Sequence, residues 1–136
     1  MPESDENGRE TMMKIVCLLK RKPGTTRAQF KEYYEANHAP LCEKLIPFYK
    51  DYYRSYFSEV QDYETGHLDN KVEKELDFDV ITELTFSSKE NYEKLVAALS
   101  NPEIGDQITR DEENFMDRSK MSVYIVEECR SAQRAD

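Results

Sequence analysis

The spacing of apolar residues along the chain predicts four β-strands and three helices. MMKIVCLLK and FDVITELTF are short apolar runs typical of buried strands, and the aromatic-rich KDYYRSYFSEV and the closing KMSVYIVEE predict two more. Apolar positions three and four residues apart predict one helix after the first strand and two helices before the last. The predicted order is therefore β-α-β-β-α-α-β.

The starts of the predicted helices carry capping signals. Thr26 followed by Gln29, and Ser87 followed by Glu90, each match the capping box, in which two side chains reciprocally bond the backbone of the first turn. Asn101, directly before a proline, is a favourable cap for a further helix. Each predicted helix therefore has a defined first residue.

The first helix has a face made of two aromatic residues and a histidine. Phe30, Tyr34 and His38 follow one another at a spacing of four, so they share one side of the helix. The residue before Pro40 is disfavoured in the helical region, so the helix is expected to bend or stop near His38. His38 is therefore expected beside the core, close to the end of the helix.

This order of elements predicts an α+β fold of the ferredoxin-like, split βαβ kind. Such a fold has a four-stranded antiparallel sheet with helices on one face only. The first strand is nevertheless apolar on both faces, with Ile15 and Cys17 on one and Val16 and Leu18 on the other. Soluble monomers rarely leave a large apolar patch in water. A second copy that covers the free face is the simplest remedy, so we expect a homodimer.

The chain has 136 residues, which suits one domain. Residues 1–11 and 129–136 lack regular apolar spacing and are predicted to be tails, the first acidic and disordered, so that the domain spans residues 12–128. Residues 60–77 are charged and contain glycine, which predicts a long connection between the second and third strands.

Composition and cysteine usage favour a soluble cytoplasmic protein. No apolar run approaches the ~20 residues that span a bilayer, and the polar, acidic start lacks the pattern of a secretory signal. The chain has three cysteines, an odd number without a CxxC spacing. That fits reduced thiols better than a disulfide framework.

Charge and motifs exclude several classes of partner. The formal net charge is −9 and no basic cluster occurs, so neither nucleic acid nor an anionic membrane is an expected partner. Nucleotide-binding glycine motifs do not occur in the sequence. No metal site is expected, because His38 and His67 are far apart and a closed zinc site needs more ligands. Cys42 follows His38 by four residues, but the intervening Pro40 argues against a Cys–His nucleophile pair.

The segment LLKRKPGTTRAQFKEYYEANHAPL, from Leu18 to Leu41, resembles the EthD family of dimeric α/β-barrel proteins. Family members typically carry a basic Lys-Pro-Gly turn, a phenylalanine a few residues on, an aromatic pair and then His-Ala-Pro-Leu. ELTFSSKENYEKLVAAL and RDEENFMDRSKMSVYIVEE are similar to later parts of the same family. The resemblance covers about Met13 to Glu128.

The resemblance implies a subunit that pairs through its sheet into a dimeric α/β barrel, with a pocket between sheet and helices. Relatives are linked to the degradation of small organic molecules and, in fungi, to decarboxylation of polyketide-derived aromatic acids. The wider superfamily includes cofactor-free monooxygenases and haem enzymes. Tyr33 and Tyr34 stand where many relatives carry tryptophan, so the substrate stays open.

The helix face contains the leading site candidates. His38 is the predicted catalytic group, since an imidazole can take or give a proton near neutral pH; the alternative is a residue that only ends the helix. Tyr34, one turn earlier, is expected to contact His38 or a phenolic substrate, or else to be an ordinary core tyrosine. Phe30 is expected to contribute to substrate binding on the same face.

Two charged strand residues are further candidates for substrate binding. Arg54, between two tyrosines on one face of the second strand, is a candidate partner for a substrate carboxylate, the alternative being an exposed charge at the sheet edge. Glu83 interrupts the apolar third strand, where an unpaired buried carboxylate is costly. It is expected to be a substrate-binding or catalytic acid or, with more support, half of an ion pair across the dimer.

Together these features favour a lyase, a cofactor-independent decarboxylase of a small aromatic or polyketide-like acid, with His38 as general acid and base. An oxidoreductase of the monooxygenase type and a non-catalytic ligand-binding protein of a degradation pathway are the alternatives. No cofactor is expected, with haem as the open alternative because one histidine ligand suffices for it. The expected partners are a small aromatic ligand and a second copy of the chain.

Overall fold

A computed structural model describes residues 12–58, 66 and 76–135. Residues 1–11, predicted to be a tail, and nearly all of the 60–77 connection, with His67, lie outside the described residues. The four strands form one antiparallel sheet in the order β2-β3-β1-β4. They are β1 (Met13–Leu19), β2 (Asp51–Tyr56), β3 (Val80–Phe86) and β4 (Ser122–Val126). The predicted strands and the ferredoxin-like arrangement are confirmed.

The helices pack on one side of this sheet, as predicted. No helix within the described residues is both long enough and apolar enough to cross a bilayer. Residues 127–135 are exposed and form neither helix nor strand. The helices are α1 (Arg27–Tyr33), a π-helix (Tyr34–His38), α2 (Ala39–Leu45), α3 (Lys89–Ser100), α4 (Pro102–Glu113) and a 3₁₀-helix (Arg118–Lys120).

The first helix does not stop near His38, which was one of the two alternatives expected, and changes there to a wider π-helical turn. The chain passes from α1 through the π-helix into α2, and Pro40 falls in the first turn of α2. There the missing N–H of proline costs least. The wider turn is closed by the Ala39 N–H, which donates to the carbonyl of Tyr34, five residues back. The helical segment therefore continues past His38 and through α2.

The capping signals are confirmed at two helices and displaced by one residue at the third. Thr26 and Gln29 form the complete capping box of α1, and the Asn101 side chain caps α4. The cap of α3 is Ser88 and not Ser87, since the Ser88 hydroxyl accepts the Asn91 N–H at 3.2 Å. The prediction of a Ser87–Glu90 capping box was therefore wrong by one position.

The shift in the α3 cap gives a paired stability test. Ser88→Ala should lower the free energy of unfolding by about 1 kcal/mol, because the first turn of α3 loses its side-chain acceptor. Ser87→Ala, one residue earlier and exposed, should leave the stability nearly unchanged. Urea unfolding followed by circular dichroism measures both. Equal losses in the two variants would contradict the assignment of Ser88 as the cap.

The two faces of the sheet have different surroundings. On the helix side, Ile15 and Cys17 are buried in the core. The alternate residue Val16 pairs with Glu83 of β3 and with Tyr124 of β4, so these three side chains share the other face, here called the outer face. The described residues leave Tyr124 54% exposed there. The outer face is therefore the uncovered apolar surface that the sequence predicts.

Candidate functional site

A cavity of about 350 Å³ lies between the helix side of the sheet and the helices. Its walls are mainly apolar, with several polar side chains among them, as is usual for small-molecule sites. The polar residues that line it are Tyr34, His38, Cys42, Tyr52, Thr82, Thr109, Glu112 and Arg118.

The π-helix brings Tyr34 and His38 to this cavity. Only 2% of Tyr34 and 3% of His38 is exposed, and the two rings meet edge to face with centroids 5.5 Å apart. π-turns within α-helices often occur at functional sites, because the widened turn redirects side chains. The two residues predicted to be catalytic are therefore adjacent and line the same cavity.

His38 is oriented by a carboxylate from α4. Its Nδ1 lies 2.7 Å from Asp111 Oδ2, while the Tyr33 hydroxyl donates to Asp111 Oδ1, also at 2.7 Å. Asn114 in turn donates to the Tyr33 hydroxyl at 2.9 Å. Such a carboxylate fixes the proton on Nδ1 and orients the ring. The other ring nitrogen, Nε2, is then the one that exchanges a proton.

Cys42 contacts His38, although the sequence argues against it. The Cys42 sulfur lies 3.4 Å from His38 Nε2, because the helix continues through Pro40 and keeps both residues on one side. Burial raises the pKa of the Cys42 thiol to about 12. The thiol therefore stays protonated at neutral pH and is a poor nucleophile, so the pair does not support covalent catalysis.

The cysteines give a direct chemical test of this environment. With iodoacetamide at pH 8, the native protein should be alkylated at the exposed Cys129 while the buried Cys17 and Cys42 stay unmodified. All three should react in denaturant. Peptide mass spectrometry measures the extent at each position. Alkylation of native Cys42 as fast as Cys129 would contradict a buried, protonated thiol.

Three hydroxyl groups meet at the cavity wall. The Tyr34 hydroxyl lies 2.8 Å from the hydroxyl of Tyr52 and 2.8 Å from that of Thr82. Burial raises the pKa of Tyr34 and of Tyr52, so both phenols keep their protons. Three hydroxyls carry three protons but exchange only two hydrogen bonds among themselves. The remaining proton has the Cys42 sulfur as a weak acceptor, since Tyr52 is also a partner of Cys42.

Arg54 is close to these tyrosines but does not line the cavity. Its guanidinium lies 4.5 Å from the centre of the Tyr52 ring. Its Nε and Nη2 each donate to the Glu35 carboxylate at 2.7 Å, and Arg54 holds the pKa of Glu35 below its usual range. The Tyr56 hydroxyl donates to the same carboxylate at 2.6 Å. Arg54 is thus a half-buried partner of Glu35, and its predicted contact with a substrate carboxylate is not supported by this position.

Two other predicted binding residues lie away from the cavity. Phe30 is 1% exposed and packs within the core, its ring centre 6.2 Å from that of Tyr34 and 5.4 Å from that of Phe115. It supports Tyr34 from behind and does not line the cavity. Glu83 lies on the outer face, where Lys14 of the same chain approaches its carboxylate to 3.4 Å. The structure does not bring Phe30 or Glu83 to this cavity, and their part in substrate binding stays a prediction.

Three charged residues of the site were not predicted: Glu112 and Arg118 line the cavity, and Asp111 holds His38 without lining it. Asp111 and Glu112 follow Ile108 at helical spacing, and Phe115 continues the same buried face of α4. Two carboxylates on an otherwise apolar helix face were the available signal. Arg118 had no such signal, since its access to the cavity depends on the 3₁₀-helix that precedes β4.

Only one ring nitrogen of His38 has a strong partner among the described residues. Asp111 engages Nδ1, whereas the contact of Nε2 is with the Cys42 sulfur at 3.4 Å, a weak hydrogen-bond partner. No cluster of three or more potential metal ligands occurs within residues 12–58, 66 and 76–135. The arrangement around His38 fits proton transfer to or from a bound organic molecule.

The fold and this cavity define a ferredoxin-like α+β protein with a polar, histidine-containing pocket. The model of the EthD domain matches residues 22–119. The chain belongs to the EthD domain family, as its His-Ala-Pro-Leu segment predicts. No curated protein matches the chain significantly.

Solved structures share the fold. An ethyl tert-butyl ether D (EthD) family protein from Bacillus halodurans is 23% identical over 88% of this chain and 100% of its own, with a TM-score of 0.57. An EthD-like protein from Ralstonia eutropha is 18% identical over 85% and 87% of the two chains, with a TM-score of 0.51. SnoaB, a cofactor-independent oxygenase from Streptomyces nogalater, is 9% identical over 90% and 98%, also with a TM-score of 0.51. At these identities the likeness establishes the fold alone.

Proposed function

We propose that this protein is a cofactor-independent decarboxylase of a small aromatic or polyketide-like acid. The observation that carries the proposal is His38, held by Asp111, on the wall of a largely apolar cavity. An imidazole held by a carboxylate is a general acid and base, and the apolar walls suit a flat ring. Membership of the EthD family supports a role in small-molecule chemistry.

The proposed reaction uses one proton from His38. The imidazolium donates its Nε2 proton to the ring carbon that bears the carboxylate, forming a C–H bond and interrupting the aromatic system. The bond to the carboxylate then breaks, its electron pair restores the ring, and carbon dioxide leaves. Water returns a proton to His38, so that each turnover consumes one solvent proton. Asp111 orients the ring for the transfer.

The hydroxyl cluster has a complementary role in this proposal. Protonation of the ring carbon leaves the ring short of electrons, and a phenolic oxygen of the substrate supplies them. Hydroxyl oxygens of the Tyr34–Tyr52–Thr82 cluster can accept the hydrogen bond of that phenol, which favours this release of electrons. This supports an oxygenated aromatic acid as substrate and assigns Tyr52, which the sequence did not single out, to the site.

The test is an assay of the purified protein against hydroxybenzoates, hydroxynaphthoates and anthraquinone acids. Carbon dioxide release, with one deuterium at the vacated ring position in heavy water, is the expected result. Oxygen uptake with retention of the carboxylate would replace the proposal with an oxidoreductase. Binding without any turnover would replace it with a ligand-binding accessory role.

We also propose that the protein acts as a cytoplasmic homodimer joined through the outer face. The uncovered Tyr53 and Tyr124 support this, at 58% and 54% exposed. An exposed apolar surface on a small soluble domain usually marks a contact with another molecule. The free thiols of the described cysteines support a reducing compartment.

A further inference from the structure

Two arginines approach the cavity region, and their surroundings differ. Arg54 uses Nε and Nη2 on the Glu35 carboxylate and Nη1 on the carbonyl of Tyr52, at 3.3 Å. All three of its nitrogens are therefore engaged, and it is not among the residues that line the cavity. Arg54 has little capacity left to bind an anionic ligand.

Arg118 lines the cavity and is only partly engaged. Its Nε donates to Glu112 Oε1 at 3.1 Å, and its side chain is 45% exposed while that of Glu112 is 10% exposed. Arg118 therefore lies at the mouth of the cavity, with Glu112 on the inner side. Within the described part of the chain, no other hydrogen bond engages its two terminal nitrogens. A guanidinium has five N–H donors, so most of them remain available.

We propose that Arg118 is the residue that selects acids, by holding the substrate carboxylate at the mouth of the cavity. This inference rests on the proposed function and supplies the cationic partner that a carboxylate needs when it leaves water. The planar fork of a guanidinium matches a carboxylate with two parallel hydrogen bonds. Glu112 precedes Arg118 on the same wall and follows Asp111 directly in α4. The anchor therefore lies beside the residue that orients His38.

The proposed contact between Arg118 and the substrate carboxylate predicts different effects on KM and on kcat. The carboxylate carries a full charge in the ground state and loses it as carbon dioxide departs, so the contact with Arg118 weakens in the transition state. An interaction of this kind lowers KM without raising kcat. Arg118 is a binding residue in this sense, whereas His38 acts on the reacting carbon.

Glu112 should weaken binding of the acid, whereas Arg118 strengthens it. Its carboxylate competes with the substrate for Arg118 and repels a second carboxylate nearby. Burial raises the pKa of Glu112, which shows that the ionised form is poorly solvated. Glu112→Gln keeps the shape and removes the charge, so acids should bind several-fold more tightly to this variant.

The test compares 1-hydroxy-2-naphthoate with 1-naphthol, which has the same ring system without the carboxylate, by titration calorimetry on the full chain. Arg118→Met should weaken binding of the acid about tenfold to a hundredfold, the loss expected for a charge-assisted pair. Binding of 1-naphthol should change less than twofold. Arg110→Met, which removes an exposed arginine from α4, is the matched control and should bind both probes as the wild type does.

The assignment would be supported if the acid binds more weakly to Arg118→Met and more tightly to Glu112→Gln. Binding of 1-naphthol should not change in this way. Equal loss of both probes in Arg118→Met, or no loss of either, would overturn it. So would a wild-type protein that binds the acid no more tightly than the naphthol. These results are independent of carbon dioxide release, so failure of the anchor and failure of the decarboxylase proposal are distinguishable. Where an acid is turned over, a higher KM with unchanged or higher kcat in Arg118→Met is the expected kinetic counterpart.

Discussion

Substitution of His38 by glutamine is expected to lower turnover of the acid substrate by about a hundredfold to ten-thousandfold. Glutamine is close to histidine in size and remains polar, but it cannot donate a proton to carbon. The cavity should otherwise persist, because Phe115 and Tyr34 pack on this side chain through their rings. Affinity for the acid, measured by calorimetry, should therefore change by only a few-fold.

Asp111→Asn separates positioning from proton donation. The amide still accepts a hydrogen bond from Nδ1 but is a weaker partner than the carboxylate. Turnover should therefore fall less than in His38→Gln, while affinity for the acid, measured by calorimetry, stays within a few-fold of the wild type. A merely structural role for Asp111 would lower the folded fraction and the affinity together.

Asn114→Ala is a suitable control for both variants. Asn114 is exposed and donates to the Tyr33 hydroxyl at 2.9 Å and, more weakly, to Asp111 Oδ1 at 3.5 Å, so its loss should have a small effect. Turnover in His38→Gln equal to that of the wild type would contradict the role assigned to His38. If His38→Gln loses both ligand binding and its folded structure, as detected by circular dichroism, turnover is compared in Asp111→Asn instead.

Val16→Asp is expected to convert a dimer into monomers, raising the dissociation constant at least about a hundredfold. Val16 lies at the centre of the outer face, between Glu83 and Tyr124 on the neighbouring strands. A standard interface covers about 800 Å² of each subunit, and an unpaired carboxylate at its centre is strongly destabilising. Light scattering and analytical ultracentrifugation at micromolar concentration measure the mass.

Tyr124→Lys provides a second variant for the same interface. Tyr124 is more than half exposed in one subunit, so the substitution should leave the fold of that subunit intact while preventing tight association. Val96→Asp, at a 45% exposed position of α3 on the helix side, is the matched control and should remain dimeric. A wild-type mass equal to one chain would contradict the dimer.

Local sequence pattern was enough to predict most of the fold. β1 was predictable because a short, bounded apolar run is typical of a strand, and the α1 cap because Thr26 and Gln29 interact within their own turn. The cap of α3 was misplaced because Ser87 and Ser88 are chemically alike. Which of them begins the helix depends on where β3 ends and which serine becomes buried.

The continuation of the first helix was not predictable from its local signals. Pro40 disfavours helix at the preceding residue, yet the π-turn places that proline where its missing N–H is tolerated. The packing of Tyr34 and His38 against Phe115 favours this arrangement. Proximity of Cys42 to His38 follows from the same continuation.

The sequence by itself determined the strands, the order of elements and the histidine worth testing, because each depends on neighbours a few residues away. Only the tertiary structure decided which groups act with that histidine. Asp111 is 73 residues from His38 along the chain. Arg54 was a plausible partner for a substrate carboxylate, but in the structure its guanidinium donates to Glu35. Contacts of this kind depend on how α4, the π-helix and the sheet pack together. The residue pattern within a single element does not determine which side chains of other elements it meets.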